Sequence, residues 1–441
     1  MASRGQHLVH ADRRFATASG LLARLATPAA AQILALIDGG LENGGIHLTM
    51  PDGNVRRLGF RGPGPEAAVR LTSWMALVRL ALSGSVGWYR AWADGLWSSP
   101  DPVPVFELFS LNARPLGDIG RAKGPFRLIN TIAHRLRDNR PRTARANIAA
   151  HYDLGNDFYS AWLDASMTYS SARFPLPFRG GAGVGASVRE LKDSPAPNPS
   201  PEGEGSLEQA QRRKVDLLLD RLNLAPGDRL LEIGCGWGSL AIAAARRGAS
   251  VVGLTLSKEQ KAWADRAVAS AGLSDKIEIR LQDYRDTDER FDAIASVEMV
   301  EAVGERWWGA YLDCIARNLE PGGRAALQFI SIADDLFDSY RRNADFIQTY
   351  IFPGGMLVDQ PSFAGLARER GLSWDDLDSF GTDYAHTLKL WRERYDAAVE
   401  RGAVPGFDEE FHNLWRYYLM YCEGGFRGGA IDVSQVTMVR A

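Results

Sequence analysis

The stretch Leu230-Leu231-Glu232-Ile233-Gly234-Cys235-Gly236-Trp237-Gly238 decides the fold class. An apolar strand pattern runs into a glycine-rich turn, and a helical pattern follows at once over residues 239–247. This succession predicts the first strand, turn and helix of a nucleotide-binding α/β domain. The glycines are spaced G-x-G-x-G, whereas a dinucleotide site uses G-x-G-x-x-G to bring its backbone up to a pyrophosphate. The observed spacing, with Glu232 before the turn, favours S-adenosylmethionine, which contains no pyrophosphate.

Helices and strands alternate after residue 206. A helical pattern over 207–222 precedes the glycine strand, and further strand patterns lie at 251–255, 277–281, 291–296 and 325–330. A helical stretch separates each strand from the next, which predicts an α/β fold with a doubly wound, mainly parallel Rossmann-like sheet. The turn Pro321-Gly322-Gly323 leads into the last of these strands. From residue 345 onward we expect aromatic-rich helices and one short strand at 436–439.

We expect two domains. Residues 1–125 should form a small α+β accessory domain, and residues 126–441 should form the catalytic domain. Strand patterns at 46–50 and 55–60 flank a turn at Pro51-Asp52-Gly53, and we expect residues 65–112 to be helical. Four tryptophans of this region favour core packing over a lipid-facing surface: Trp74, Trp88, Trp92 and Trp97.

Charge is distributed unevenly along a chain whose formal net charge is -3. Residues 1–150 carry 19 Lys and Arg against 10 Asp and Glu, and the remainder carries 32 against 44. Between Arg121 and Arg145, eight basic residues accompany one acid, and apolar residues recur at helical spacing. This pattern predicts an amphipathic basic helix that either contacts an anionic membrane surface or is a solvated inter-domain helix. Within the catalytic domain we assign residues 126–170 to this linker helix and to a cofactor-binding or lid segment.

A stretch rich in Pro, Gly and Ser, residues 175–205, interrupts the catalytic domain. Such a composition buries too little apolar surface to order itself, so we expect a flexible loop. The loop lies between two segments with functional motifs, which places it beside the mouth of the expected site.

The bulk composition is that of a soluble globular protein, with 45% hydrophobic and 24% charged residues. Cys235, Cys314 and Cys422 have neither disulfide nor metal-ligand spacing, so we expect a reducing cytoplasm and no metal site. The N-terminus lacks a signal-peptide core, and no apolar run is long enough to span a membrane. We also expect no nucleic-acid partner, and a homodimer stays open.

Ligands of an open α/β sheet bind beyond the carboxyl ends of its strands. The sequence places there Gly234, Gly236 and Gly238, then Thr255, Leu256 and Gln260, then Asp283 and Tyr284, then residues 298–301. Thr255 stands where many nucleotide sites have a ribose-binding acid, so the Gln260 amide is our candidate ligand for the ribose hydroxyls. Asp283 can accept a hydrogen bond from the adenine amino group, and Tyr284 can pack near the ring.

Eight blocks of this chain, in order, resemble the cyclopropane-fatty-acyl-phospholipid synthase family. The blocks are His151–Tyr159, Met167–Ser171, Leu231–Gly238, Leu254–Gln260, Gln282–Asp286, Glu298–Gly304, Tyr350–Gly355 and Phe380–Tyr384. They cover the chain from about residue 150 onward, and the N-terminal part resembles more loosely the accessory domain of longer members.

The resemblance implies an S-adenosylmethionine-dependent methyltransferase that acts on cis-unsaturated acyl chains of membrane phospholipid and forms a cyclopropane fatty acid. Such an enzyme works in the cytoplasm, peripherally at the inner membrane face. Its weak alkene nucleophile needs the methyl group held close, and the resulting carbocation needs dry, anionic surroundings and a base. The resemblance implies that Tyr169 and Ser170 contact the methionine end of the cofactor and that His151 orders the adjacent loop.

The resemblance also implies a bound bicarbonate that serves as the base. Its implied ligands are Ser171, Glu301, Gln328, Ile330 and Tyr384. Among these we expect Glu301 to matter most.

Two positions depart from the family's pattern, because Ser171 stands where many members have Cys and Gln328 where many have His. The resemblance implies that the Cys acts through its backbone, which serine retains, whereas glutamine donates a hydrogen bond but cannot titrate. Three hypotheses follow: cyclopropane formation, a methyl- or methylene-branched product, and a non-catalytic lipid-binding homologue. A nicotinamide dehydrogenase is disfavoured, because the dinucleotide spacing and the ribose acid are absent.

Overall fold

The computed structural model describes residues 4–11, 26–117, 154–175 and 205–441. The predicted basic helix at 121–145, His151 and nearly all of the predicted flexible loop lie outside these residues. The described residues form a four-stranded sheet near the N-terminus and a seven-stranded sheet after it.

The N-terminal part combines a small mixed sheet with helices. Its strands are β1 (Gly45–Thr49), β2 (Val55–Gly59), β3 (Glu66–Leu71) and β4 (Trp97–Ser98), in the order β2-β1-β3-β4. β1 runs antiparallel to β2 and parallel to β3. Its helices are α1 (Gln6–Val9), α2 (Ala26–Gly40), α3 (Met75–Ala93), α4 (Val103–Leu111) and α5 (Ala113–Leu116). Trp88 and Trp97 stack in the core with ring centroids 4.3 Å apart.

The large sheet carries the fold predicted from the glycine turn. Its strands are β5 (Arg229–Ile233), β6 (Ser250–Thr255), β7 (Ile277–Leu281), β8 (Phe291–Val297), β9 (Leu319–Ile332), β10 (Asp375–Ser379) and β11 (Ile431–Val439). They are ordered β10-β11-β9-β8-β5-β6-β7, and only β11 and β10 run antiparallel to their neighbours. The strand order reverses beside β5, and this is where open α/β sheets bind their ligands.

Helices cover both faces of the large sheet. They are α6 (Asn156–Ser160), α7 (Leu207–Leu222), α8 (Ser239–Arg246), α9 (Lys258–Ser270), α10 (Trp308–Asn318), α11 (Asp334–Tyr340), α12 (Gln360–Arg368), α13 (Gly381–Glu400) and α14 (Glu409–Arg427). A π-helical turn spans Ile347–Ile351, and short 3-10 turns span Tyr284–Asp286, Val300–Ala302 and Glu305–Trp307.

Local sequence explains why the elements next to the glycine turn form. Leu230, Leu231 and Ile233 of β5 are fully buried, as expected for a central parallel strand covered on both faces. Helix α7 begins at a reciprocal capping box between Ser206 and Gln209, which satisfies backbone donors at the helix start. The site is therefore built on a buried central strand that is preceded by a capped helix.

The N-terminal part packs tightly on the C-terminal helix of the catalytic part. A Cβ atom on Gly424 of α14 would lie 2.4 Å from Cβ of Phe106 in α4, so only glycine permits this approach. The Ser110 hydroxyl donates to the Gly425 carbonyl at 2.7 Å. Tyr417 of α14 contacts Phe106 edge-on with ring centroids 5.1 Å apart. The two parts therefore share one aromatic interface.

Several details of the predicted elements were wrong. Residues 66–71 form β3 instead of a helix, because they pair with β1 and alternate exposed and buried side chains. The edge strand β10 was missed, and β11 has nine residues instead of four because all nine pair with β9. Pro321-Gly322-Gly323 lies inside β9, where the register to β8 shifts and Gly322 has φ 77°.

Candidate active site

A cavity of about 180 Å³ opens at the carboxyl ends of β5, β6 and β8. The predicted cofactor-binding residues that line it are Tyr169, Ser170, Glu232, Gly234, Gly236, Thr255, Leu256, Gln260, Asp283 and Tyr284. Gly238 is not among the lining residues. It precedes the first residue of α8 with φ 92°, and a Cβ there would come within 3.2 Å of Ala264. The structure thus brings these predicted cofactor-binding residues together around one cavity, whereas Gly238 contributes to the packing of α8.

The glycine turn exposes backbone to the cavity. Gly234 and Gly236 have φ of 86° and 52°, a region that favours glycine. The amides of Gly234 and Cys235 donate to the Leu254 carbonyl at 3.1 and 2.8 Å, which ties the turn to β6. The turn is therefore fixed before any ligand enters.

Glu232 supplies a buried carboxyl group beside this turn. Its side chain is almost fully buried, and its Oε2 has no hydrogen-bond partner among the described residues. Burial raises the pKa of Glu232 to about 8, against lowering effects of the Ala241 amide and the Lys214 ammonium. An unpaired buried oxygen on the wall of a cavity needs a donor, and the ammonium group of S-adenosylmethionine is one. The residues present therefore fit the predicted cofactor.

The ribose and adenine candidates lie along β6 and β7. The Thr255 hydroxyl donates to Gln260 Oε1 at 2.8 Å, which leaves the amide NH₂ of Gln260 to donate to a ligand. Both oxygens of Asp283 accept from the Arg285 guanidinium, at 2.9 and 2.7 Å. The Arg285 guanidinium also lies 5.4 Å from the Tyr284 ring centroid. The adenine roles of Asp283 and Tyr284 stay predictions, with Arg285 as a partner that the sequence did not indicate.

The segment 168–171 forms another wall of the cavity and is held by α7. The Gln211 amide donates to the Ser170 carbonyl at 2.8 Å, and the Lys214 ammonium donates to Ser170 Oγ at 2.7 Å. Tyr169 extends from the same segment, and its hydroxyl meets that of Tyr418 at 2.8 Å. The sequence prediction named Tyr169 and Ser170 but missed the α7 residues, whose spacing of three along a helix was the available signal.

The anion-binding residues predicted from the family converge on Glu298. Its Oε1 accepts from the Ser171 amide at 2.9 Å and from the Gln328 side chain at 2.7 Å. Its Oε2 accepts from the Tyr384 hydroxyl at 2.7 Å. Three of the five groups predicted to hold bicarbonate therefore bind a carboxylate that the chain itself provides.

Backbone geometry aims Glu298 into the cavity. The residue directly follows β8 and has φ 47°, a conformation that non-glycine residues rarely adopt. Its amide donates to the Gln328 carbonyl at 2.7 Å, which fixes it against β9. Strained residues of this kind persist where the surrounding contacts enforce them, and they cluster at functional sites.

Burial controls the protonation of this cluster. Burial raises the pKa of Glu298, although its bonds to Tyr384, Ser171 and Gln328 and the charge of Lys214 act in the opposite direction. Burial together with the Glu298 charge raises the pKa of Tyr384 well above its usual range, so its hydroxyl stays protonated and donates. Gln328 is oriented in turn, because its Oε1 accepts from the Gln435 amide at 3.0 Å.

Glu301 lies next to this cluster and not at its centre, and its leading role in catalysis stays a prediction. Its Oε1 accepts from the Ile330 amide, and its Oε2 has no hydrogen-bond partner among the described residues. Burial, together with the neighbouring Glu298 charge, raises the pKa of Glu301 to about 8. Gln328 and Tyr384 bond to Glu298 instead, because its position at the end of β8 brings its carboxylate between β9 and α13. The two acids stand three residues apart, and that spacing was the signal in the sequence.

Comparison with known proteins assigns the family. The model of the mycolic acid cyclopropane synthetase family matches residues 139–436. This chain belongs to that family. Its members and their structural relatives establish an S-adenosylmethionine-dependent methyltransferase.

Two curated relatives of this chain illustrate the range of activities among similar proteins. Tuberculostearic acid methyltransferase UfaA1 of Mycobacterium tuberculosis is 38% identical over 364 residues, 82% of this chain and 80% of the relative. Cyclopropane-fatty-acyl-phospholipid synthase of Escherichia coli is 34% identical over 400 residues, 87% of this chain and 90% of the relative. Family membership thus covers more than one fatty-acid product.

Solved structures of the family share the fold and the cofactor class. Mycolic acid cyclopropane synthase CmaA1, crystallised with S-adenosylhomocysteine (SAH) and CTAB, matches with a TM-score of 0.57 and 30% identity. The match covers 67% of this chain and 98% of that one. Cyclopropane synthase MmaA2 of Mycobacterium tuberculosis matches with a TM-score of 0.56, the same identity and the same coverage. The predicted fold class and cofactor are therefore confirmed.

No group of three His, Cys, Asp or Glu side chains in the described ranges could hold a metal ion. None of the helices that the structure describes is both long and apolar enough to cross a bilayer.

Proposed function

We propose that the protein methylates a cis double bond in an acyl chain of membrane phospholipid and that Glu298 accepts the proton lost afterwards. The observation that carries this proposal is the carboxylate of Glu298, which is held by Ser171, Gln328 and Tyr384 beside the cofactor cavity. S-Adenosylmethionine, when bound, supplies an electrophilic methyl group. Everything else in the reaction falls to the residues of this chain.

The chain positions the reaction and keeps water out of it. Tyr169, Ser170 and the glycine turn would hold the methyl donor, and Glu232 would hold its amino group. The alkene π electrons would form the new carbon–carbon bond as the methyl–sulfur bond breaks and its electron pair stays on sulfur, which leaves a carbocation on the other alkene carbon. A buried carboxylate stabilises that cation far better than water-exposed charge would.

Glu298 is suited to end the reaction. When a proton of the new methyl group leaves, its C–H electrons close the cyclopropane ring, and the proton goes to a Glu298 oxygen. A pKa raised by burial makes this carboxylate a stronger base than an ordinary glutamate. The protonated Tyr384 hydroxyl holds the carboxylate in place throughout. This role makes an external bicarbonate unnecessary and explains why Gln328, which cannot titrate, suffices at its position.

A methylene-branched product is the second candidate. It forms if a hydride shifts to the cationic carbon before the methyl proton is lost to Glu298. Two observations favour it: the departures at Ser171 and Gln328 from the family's pattern, and the 38% identical tuberculostearic acid methyltransferase. The same residues serve both routes, so the order of hydride shift and proton loss decides the product.

The test uses the purified full chain with methyl-labelled S-adenosylmethionine and phospholipid vesicles. Vesicles with cis-unsaturated chains should acquire label, whereas matched vesicles with saturated chains should not. NMR of the released fatty acid then separates the high-field cyclopropane methylene from a vinylic methylene. Cofactor binding without any label in unsaturated lipid would contradict the proposal and would favour the non-catalytic lipid-binding hypothesis.

We further propose that catalysis takes place at the cytoplasmic face of the inner membrane. The support is the excess of basic residues between Arg121 and Arg145, a segment outside the described residues. Basic amphipathic segments bind anionic lipid surfaces, which would bring the acyl substrate to the site.

A further inference from the structure

Lys214 is a buried cation on the wall of the cofactor cavity. Its side chain extends from α7, and the residue is only 1% exposed. Its Nζ donates to Ser170 Oγ at 2.7 Å, and it forms no ion pair with any described residue. Buried lysines are almost always paired, so this one calls for an explanation.

The ammonium group has more donors than its surroundings use. It carries three N–H groups, of which Ser170 takes one. The charged groups around it are Glu298, Asp164 and Glu232, which act on it only through longer-range electrostatics. Asp164 is already occupied, because its oxygens accept from the Ser166 and Thr168 amides. Burial outweighs these charges and lowers the pKa of Lys214 to about 8.

The same cavity offers the opposite polarity at Glu232. That residue lines the cavity, and its Oε2 is the unpartnered buried acceptor described above. The cavity thus holds an ammonium group with unused N–H donors and a carboxyl oxygen with no donor. These two groups match the carboxylate and the ammonium group of an amino-acid zwitterion. The Ser170 hydroxyl oxygen accepts a hydrogen bond from Lys214. The hydroxyl proton of Ser170 is therefore left to donate to a ligand that Lys214 also contacts.

We propose that Lys214 and the Ser170 hydroxyl bind the α-carboxylate of the methionine portion of S-adenosylmethionine, while Glu232 binds its α-ammonium group. Lys214 is then a cofactor-binding residue whose charge is paired when the ligand arrives. The inference rests on the cofactor class alone and not on the proposed lipid substrate, so the two can fail independently.

The experiment compares two ligands by calorimetry, with the full chain and no lipid. One ligand is SAH, and the other is its decarboxylated analogue 5'-(3-aminopropylthio)-5'-deoxyadenosine, which lacks only the carboxylate. The wild type should prefer SAH by about 10- to 100-fold, the range for a hydrogen bond between charged groups. Lys214→Met should reduce this ratio to near 1 and bind the decarboxylated analogue as the wild type does.

Lys276 provides the matched control, because it is an exposed lysine outside the cavity. Lys276→Met should keep the wild-type ratio, and Lys214→Gln, which keeps a donor but no charge, should give an intermediate one. Equal affinity of the wild type for both ligands would overturn the proposal, and this arm needs no variant to fold. Equal weakening of both ligands in Lys214→Met would also overturn it, because the lysine would then only order the 168–171 segment.

Discussion

Glu298 combines two features that destabilise the folded protein, and residues with such features are usually retained for function. Its backbone lies in the left-handed region at φ 47°, which costs about 1–3 kcal/mol for a residue with a side chain. Its carboxylate is removed from water, which is unfavourable for the charged form. Three donors offset part of this cost, and the remainder raises the basicity of the group. Glycine would adopt this backbone conformation without strain, yet the chain has a carboxylate residue, Glu298, at this position.

Glu301 gives a prediction for stability against pH. Its pKa is raised from 4.5 to about 8, so the folded protein binds a proton at this site that the unfolded chain has lost. Stability must therefore fall as pH rises between these values. Glu232 acts in the same direction, whereas Lys214, whose pKa is lowered, acts in the opposite direction above about pH 8.

Glu301→Gln should flatten this dependence, because glutamine mimics the protonated acid at every pH. The slope of the unfolding free energy should become less negative by up to about 1.4 kcal/mol per pH unit. Urea unfolding of the apo protein across the window checks it, with Glu369→Gln as the control because the Glu369 side chain is 71% exposed. Parallel curves for Glu301→Gln and the wild type would show that Glu301 is ionised in the fold.

The glycine turn between β5 and α8 is a preformed part of the cofactor site. A substitution at Gly234 tests this role. A Cβ on Gly234 would lie 2.9 Å from Met299 Cγ, and φ 86° is unfavourable for alanine. Gly234→Ala should therefore displace the turn and weaken SAH binding at least about tenfold. Calorimetric titration of the variant measures the effect.

Gly227 is the matched control for this substitution. It has φ 97° and open space for a Cβ, and it lies before β5, outside the cavity lining. Gly227→Ala should lower stability through the same backbone strain but leave SAH affinity unchanged. If Gly234→Ala binds SAH as tightly as Gly227→Ala does, the turn is not part of the cofactor site.

Most of the predicted strands of the large sheet share a physical property that the missed strands lack. β5, β6, β8 and β9 are flanked by strands on both sides, so their apolar runs are visible without knowledge of their neighbours. β10 is an acidic edge strand, Asp375-Asp376-Leu377-Asp378-Ser379, which becomes a strand only by pairing with β11. β3 is short and ambiguous by pattern, and its pairing with β1 decides it. Long-range pairing is information that local periodicity does not carry.

The site as a whole is assembled from segments far apart in the chain. The cofactor half lies mostly on one run from β5 to β7, so the motif spacing located most of it. The Glu298 cluster joins Ser171, the end of β8, β9 and α13. The family resemblance named residues in all four places, but the left-handed backbone conformation that brings the Glu298 carboxylate between them depends on the folded neighbours. Lys214 was missed for the same reason, since on a helix it looks like an ordinary surface lysine.

The accessory domain and the catalytic domain meet through α4 and α14, where glycine allows close approach. Glu423 of α14 is fully buried and pairs within the catalytic part with Arg392 and Arg427, at 3.0 and 2.6 Å, and Arg427 also lies 3.9 Å from Glu107 of α4. Such a fixed interface keeps α14, which carries Tyr418 and Phe426, in register with the site. The domain boundary near residue 125 and a homodimer both stay predictions.

The most direct test of the account is the single-turnover rate of methyl transfer by Glu298→Gln. The substitution keeps the shape of the side chain but removes the base and the negative charge. With labelled S-adenosylmethionine and cis-unsaturated vesicles, the rate should fall at least about 100-fold, because the carbocation that forms during methyl transfer loses the negative charge that stabilises it. SAH affinity should stay within about twofold of wild type. Glu305→Gln, whose wild-type side chain is 39% exposed, should transfer at the normal rate. Transfer by Glu298→Gln at the wild-type rate would contradict the account.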